Sequence, residues 1–298
     1  MTIQELEQIR SKNKKINNIG ILITVLSIVI TFLGTFILPL VTYLGFILFI
    51  VGPIMIIVSY SKFRKIAKMF KHKILKPEIE KRYPEIAYFP DQGLSEEFIN
   101  SLHLYENPDR FHSEDMLCGK IKDVKFVCSD VHMEERHVQH TKDGTKVYYE
   151  TIFKGRFYQF EFNKPFKDQL LLVEGFKPLY YSNLEKVELE SVDFNKTFKT
   201  FCRDKINAFY VLTPKLMLAL MELEKENPGR ISILIDGNHL NLAIYNNADA
   251  FELSFRKQIN ENFVEDYMHD TTIIEKIIEV LDLDNKIFKE IAEDIKNI

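Results

Sequence analysis

The chain has no tryptophan and only three cysteines, Cys118, Cys128 and Cys202, among its 298 residues. The cysteines are odd in number and show no CxxC spacing. That argues against a disulfide framework and predicts a folded part kept in a reducing compartment. There is no GxSxG elbow, no Walker loop and no GxGxxG run, so the usual signatures of serine-nucleophile catalysis and of nucleotide binding are missing. Charge is absent altogether from Ile16 to Ser61, a run of 46 residues bounded by Lys15 and Lys62.

As one helix that run would be about 69 Å long at about 1.5 Å per residue. The hydrocarbon core of a bilayer is about 30 Å thick and needs about 20 residues. The length therefore predicts two spans, near Ile19–Leu38 and Leu40–Ser59. Pro39 lies at the midpoint; it lacks an N–H and disfavours helix at the residue before it, so Gly34 and Pro39 mark a tight turn. The run is too long for a cleaved signal peptide, and no small-x-small site follows a short apolar region.

Both flanks are basic. Arg10, Lys12, Lys14 and Lys15 stand before the run; Lys62, Arg64, Lys65, Lys68, Lys71, Lys73 and Lys76 stand after it, and the turn carries no charge. The positive-inside rule then predicts a multi-pass protein of the cell membrane with both termini cytoplasmic. Only Tyr43 and Tyr60 are ionisable within the run, a poor basis for a transport pathway.

The expected organisation is a basic tail (1–15), a transmembrane helical hairpin (16–61), a basic juxtamembrane helix and linker (62–110), and a cytosolic α+β domain (111–298). In the juxtamembrane stretch Phe63, Ile66, Met69, Phe70 and Ile74 recur at helical spacing with cations between them. Its seven cations are candidate membrane-surface residues, either on an amphipathic helix lying on anionic lipid or at a solvated helix end. Of the 39 Lys and Arg, 11 precede residue 77, against 2 of the 43 Asp and Glu, leaving 28 cations and 41 anions in the body. So acidic a body is repelled by phosphate backbones, and nucleic acid is not an expected partner. The bilayer is, together with a protein partner or small ligand; self-association stays open.

In the body, Pro77, Pro84, Pro90 and Pro108 read as a linker with one short helix, "SEEFINSLHLY", capped by Ser95. Strand patterns flank Asp143–Gly144 and Asp236–Gly237, both good hairpin turns. "QLLLVEG" and "KVELESVDF" read as further short strands. Thr213 and Pro214 start the helix of "YVLTPKLMLALMELEKENPGR". Two more helices are expected over about Thr271–Leu283, capped by Asp270 or Thr271, and Asn285–Lys296. Hairpin-connected strands and late helices give α+β.

The segments "IFKGRFYQFEFNK" and "VELESVDFNKTFKTFCRDKINAFYVLTPKLMLALMEL", behind a hairpin anchor, resemble a bacterial membrane-protein family catalogued as domain of unknown function 3137. The resemblance covers about residues 115–255, with Phe209 where that family often has arginine. It implies an inner-membrane protein with a cytosolic domain and supplies no activity.

Five of the eight histidines, His103, His112, His132, His137 and His140, lie between 103 and 140. Cys128, Asp130, His132 and Glu134 would share one face of an extended strand. No pair has structural-zinc spacing, so the face reads as polar and solvated, with no metal or cofactor expected. The leading reading is a membrane-anchored, cytosolic-facing binding or scaffold protein. The alternative is a membrane-tethered metal-dependent hydrolase using the histidine-rich region.

Overall fold

The structure, a computed structural model, describes residues 2–142, 144–161, 168–175, 183–259 and 263–280. It divides into two compact units, residues 1–78 with 251–266, and 79–250 with 267–298.

The first unit is an antiparallel helix pair. Helix α1 (Ile3–Ile37) opens on a capping box: Thr2 Oγ1 accepts from Glu5 N at 3.2 Å, and Glu5 Oε2 accepts from Thr2 N at 2.9 Å. It ends at Leu38, whose extended backbone also starts α2 (Pro39–Phe70), with proline at the first helical position. The turn between the two helices therefore falls where the proline predicts it. Both helices are long and apolar enough to cross a bilayer.

The seam repeats every seven residues: Leu6, Asn13, Gly20, Ser27 and Gly34 on α1, and Gly45, Gly52, Ser59 and Ile66 on α2, are all buried. Such a repeat holds two helices in contact along their length. Over its middle the seam consists of small residues, and the backbones approach closely. A Cβ placed on Gly45 would lie 2.7 Å from Thr31 N, one on Gly52 2.9 Å from Gly20 O, and one on Gly34 2.6 Å from Thr42 N. Beyond Asn13, whose carbonyl accepts from Ser59 Oγ at 2.8 Å, the seam residues become large: Leu6, Phe63, Ile66 and Phe70.

The helix runs straight through the basic stretch, followed by a π-helical turn, Lys71–Leu75. The stretch thus differs from an amphipathic helix lying flat on lipid. Phe63, Ile66, Phe70 and Ile74, the apolar positions that such a helix would give to the membrane, are packed inside the protein. Residues 251–259 strap this end of the pair. The Phe255 ring meets Phe63 edge-on at 4.6 Å, and the Phe255 carbonyl accepts from Arg10 NH1 at 3.0 Å. Glu7 Oε2 accepts from Ile259 N at 2.9 Å.

The second unit is α+β. Its strands are β1 (Ile86–Phe89), β2 (Arg110–Ile121), β3 (Val124–Thr141), β4 (Gly144–Glu161), β5 (Leu170–Val173), β6 (Glu185–Val187), β7 (Lys199–Cys202), β8 (Arg230–Asp236) and β9 (His239–Tyr245). They form one sheet, β1-β2-β3-β4-β9-β8-β5-β7-β6, antiparallel at every pairing. Helix α3 is Lys76–Arg82, at the boundary of the units; α4 (Glu96–Ser101), α5 (Val192–Thr197), α6 (Lys205–Val211) and α7 (Pro214–Glu226) complete the fold, with α8 (Phe263–Val280) last.

The proline-rich segment read as a linker contributes α3 and edge strand β1, which pairs with β2 from Ile86↔Gly119 to Phe89↔Met116. Ser95 caps α4 and Thr213 caps α7, as their spacing predicts. Asp270 and Thr271 lie inside α8 instead of capping it, because that helix starts at Phe263. The helix expected over 285–296 lies outside the described residues. Central strands β8 and β9 are buried on both faces, so their apolar runs are continuous instead of alternating. Phe153, Phe157, Leu171, Leu234 and Ala243 centre one core cluster, to which α4 contributes Ile99. Phe194 and Phe198 are core side chains at 0 and 1 % exposure.

Candidate functional site

The body holds an ionic knot where the sequence suggests a wet strand face. Asp130 on β3 and Arg156 on β4 are register partners, 3 and 5 % exposed. Arg156 NH1 donates to Asp130 Oδ1 at 3.1 Å, and NH2 donates to the Asp115 carbonyl at 3.1 Å. Asp115 reaches this point because β2 shifts register between Glu114 and Leu117, with Asp115 in the left-handed region at φ 57°. Its Oδ1 accepts from Tyr88 of β1. Asp130 Oδ2 accepts from Ala250 N at 2.5 Å, and Lys154 pairs with Asp249 at 2.8 Å, so the segment after β9 is bound down to the sheet.

Burial pushes the Asp130 carboxyl well above the usual carboxylate range, opposed by the Arg156 guanidinium. Burial likewise raises the Cys128 thiol, which favours an inert thiol over a nucleophile. The knot joins four strands at β1, β2, β3 and β4 and positions the 246–250 segment; its chemistry is that of a strut.

A second carboxyl lies at the end of β5. Burial, then the charge of Glu224, pushes Glu174 up to about 7, and its Oε1 is buried without a hydrogen-bond partner. Glu174 can therefore exchange a proton near neutrality. A groove of about 640 Å³ lies between α7 and α8, lined by Leu223, Glu226, Ile273, Lys276 and Glu279 among others. Val192, Ile206, Phe209 and Leu218 leave exposed apolar surface on α5, α6 and α7.

The histidines scatter. His112 and His132 are cross-strand partners, His132 Nε2 lies 3.4 Å from Thr151 Oγ1, and His140 Nδ1 lies 3.1 Å from Thr145 Oγ1. Among the described residues no histidine joins two further ligand atoms close enough to share an ion. Cys128 and Asp130 do share a neighbourhood, but with Arg156 rather than with His132.

Of the seven candidate membrane-surface cations, Lys62, Arg64, Lys65, Lys68 and Lys73 are exposed and Lys76 is half-buried. Lys71 is buried and pairs with Glu252 at 2.7 Å. Arg10 is also buried, its Nε and NH2 donating to Glu7 at 2.7 and 2.6 Å. That hydrogen bond chiefly holds the Glu7 carboxyl below its ordinary value. Sequence reasoning missed the strap partners, Glu7, Arg10, Lys71 and Glu252, since about 180 to 250 residues separate residues 251–259 from the helices that they bind.

Residues 151–283 match the family described as "Protein of unknown function (DUF3137)". The match starts later and runs further than the resemblance read from the sequence. No curated protein matches the chain. Among solved structures, the crystal structure of the mycobacterial trehalose monomycolate transport factor A, TtfA, aligns over 70 % of this chain and 92 % of that one, at 6 % identity and a TM-score of 0.39. A likeness that low carries no argument about function.

Proposed function

We propose that the chain, whose residues 151–283 match the DUF3137 family, is a membrane-anchored binding or scaffold protein with its body facing the cytoplasm. The α1–α2 pair spans the bilayer twice, and both ends stay on the cytoplasmic side. Lys62, Arg64, Lys65, Lys68 and Lys73 ring the point where the pair leaves the lipid and meet anionic headgroups. The acidic body binds a protein partner or a small ligand.

One observation carries this reading. Between Ile19 and Ser59 the pair packs through glycine, serine and threonine while its leucine, isoleucine and phenylalanine side chains point outward. In water that arrangement would leave a large apolar surface bare; in lipid it is the favourable one. The proposal is tested by washing membranes from cells that express the full chain with alkaline carbonate. Retention in the pellet is expected, and release into the supernatant would refute the anchor.

A further inference from the structure

Strands β3 and β4 outrun the sheet. Pairing of β3 with β2 ends at Arg110↔Glu134, and pairing of β4 with β9 ends at Gly155↔Tyr245. Beyond these points, among the described residues, β3 and β4 pair only with each other, from Glu135↔Glu150 to Thr141↔Gly144. The result is an arm about 24 Å long at about 3.4 Å per residue. A two-stranded ribbon alone in water is marginal, which makes this arm a candidate for a partner.

The two faces of the arm differ. One carries Tyr149, already covered at its base by the Arg110 guanidinium at 3.3 Å from the ring centroid. The other shows three successive rungs: Glu135/Glu150, then His137/Tyr148, then Gln139/Lys146. His137 and Tyr148 stack at 5.3 Å, and Tyr148 is 43 % exposed. The acidic rung and the Lys146 rung therefore stand at equal distances, two residues each, on either side of the aromatic rung.

That order is complementary to itself. The geometry points to a second copy of this chain as the occupant: two arms pack face to face and antiparallel, with the twofold axis at the His137/Tyr148 rung. Each Lys146 then meets Glu135 and Glu150 of the other copy, and the two Tyr148 rings meet at the centre. The facing area, roughly 250 Å² per copy, is far below the roughly 800 Å² of a standard interface. Pairing in free solution is correspondingly weak, and confinement of both copies to one bilayer raises their effective concentration. That last step rests on the anchor reading.

The test uses the full chain with Cys118→Ser, reconstituted in phosphatidylcholine vesicles and treated with a short bifunctional maleimide; flotation of the vesicles reports the anchor separately. Tyr148→Cys is expected to cross-link into dimers about tenfold more than Val147→Cys on the opposite face. Adding Lys146→Glu lowers the Tyr148→Cys yield by about tenfold, and adding Glu135→Lys and Glu150→Lys as well restores it. Unchanged melting of the variants confirms that the body stays folded. Equal cross-linking at 147 and 148, insensitivity to Lys146→Glu, or no recovery in the full charge swap would each overturn the pairing.

Discussion

Two stretches of one helix pair follow opposite rules. From residue 19 to residue 59 the pair buries Gly20, Ser27, Gly34, Gly45 and Gly52 and exposes Phe32 and Phe36, at 65 and 76 %. Closer to the chain's N-terminus, and past Ser59 on α2, it buries Leu6, Phe63, Ile66 and Phe70 and exposes lysine. The seven-residue repeat continues through both stretches; only the size of the seam residues changes. Where water surrounds the helices, burying large apolar side chains drives their contact. Where lipid surrounds them, the tails are as apolar as leucine, and contact comes from close backbone approach. On the anchor reading, the change at the Asn13–Ser59 hydrogen bond is where the surrounding solvent changes.

The strongest way to break this comparison is to make one substitution in both stretches. Phe70→Ala should cost about 3–5 kcal/mol, since it empties a fully buried site. Phe36→Ala should leave helix pairing within about 0.5 kcal/mol of wild type. Denaturant titration of the detergent-solubilised chain, followed by circular dichroism, measures both. The body offers a control of similar size. Arg156→Met leaves Asp130 buried without its cation and should destabilise by about 3–5 kcal/mol in the same titration.

A smaller effect comes from the seam. Gly45→Val places a side chain against the Thr31 backbone and should cost about 1–3 kcal/mol of helix pairing, read as faster proteolysis at the turn. The smallest concerns Glu174. Its folded pKa lies above that of the unfolded chain, so its contribution is complete at acid pH and is lost as pH rises through about 7. Glu174→Gln should therefore match wild type near pH 4 and exceed it at pH 8. Screening of a half-exposed group keeps that difference to roughly 1–3 °C in Tm.

How far the sequence revealed these features depended on how local their causes are. The α1–α2 turn follows from Pro39 and its neighbours, α7 from Thr213–Pro214, and the β8–β9 hairpin from Asp236–Gly237. All are decided within a few residues. The Asp130–Arg156 pair was not legible, because it exists only in the β3–β4 register left by the shift between Met133 and Glu134, across 26 residues. On sequence alone, Asp130 between Cys128 and His132 reads as a wet face. Strand β1 was hidden by the prolines on either side of it; an edge position tolerates them. The strap onto Glu7 and Arg10 was hidden by sequence separation. The seam was readable in principle, since glycine, serine and threonine recur every seven residues, but a hydropathy scan ranks residues by greasiness and passes over size.

The most direct measurement is the reach of a membrane-impermeant maleimide toward single cysteines in intact cells. Leu38→Cys, at the turn, is expected to be labelled from outside, whereas Lys12→Cys and Lys73→Cys are labelled only after the membrane is opened. Labelling of all three before permeabilisation, or of Lys12→Cys and Lys73→Cys from opposite sides, would contradict it.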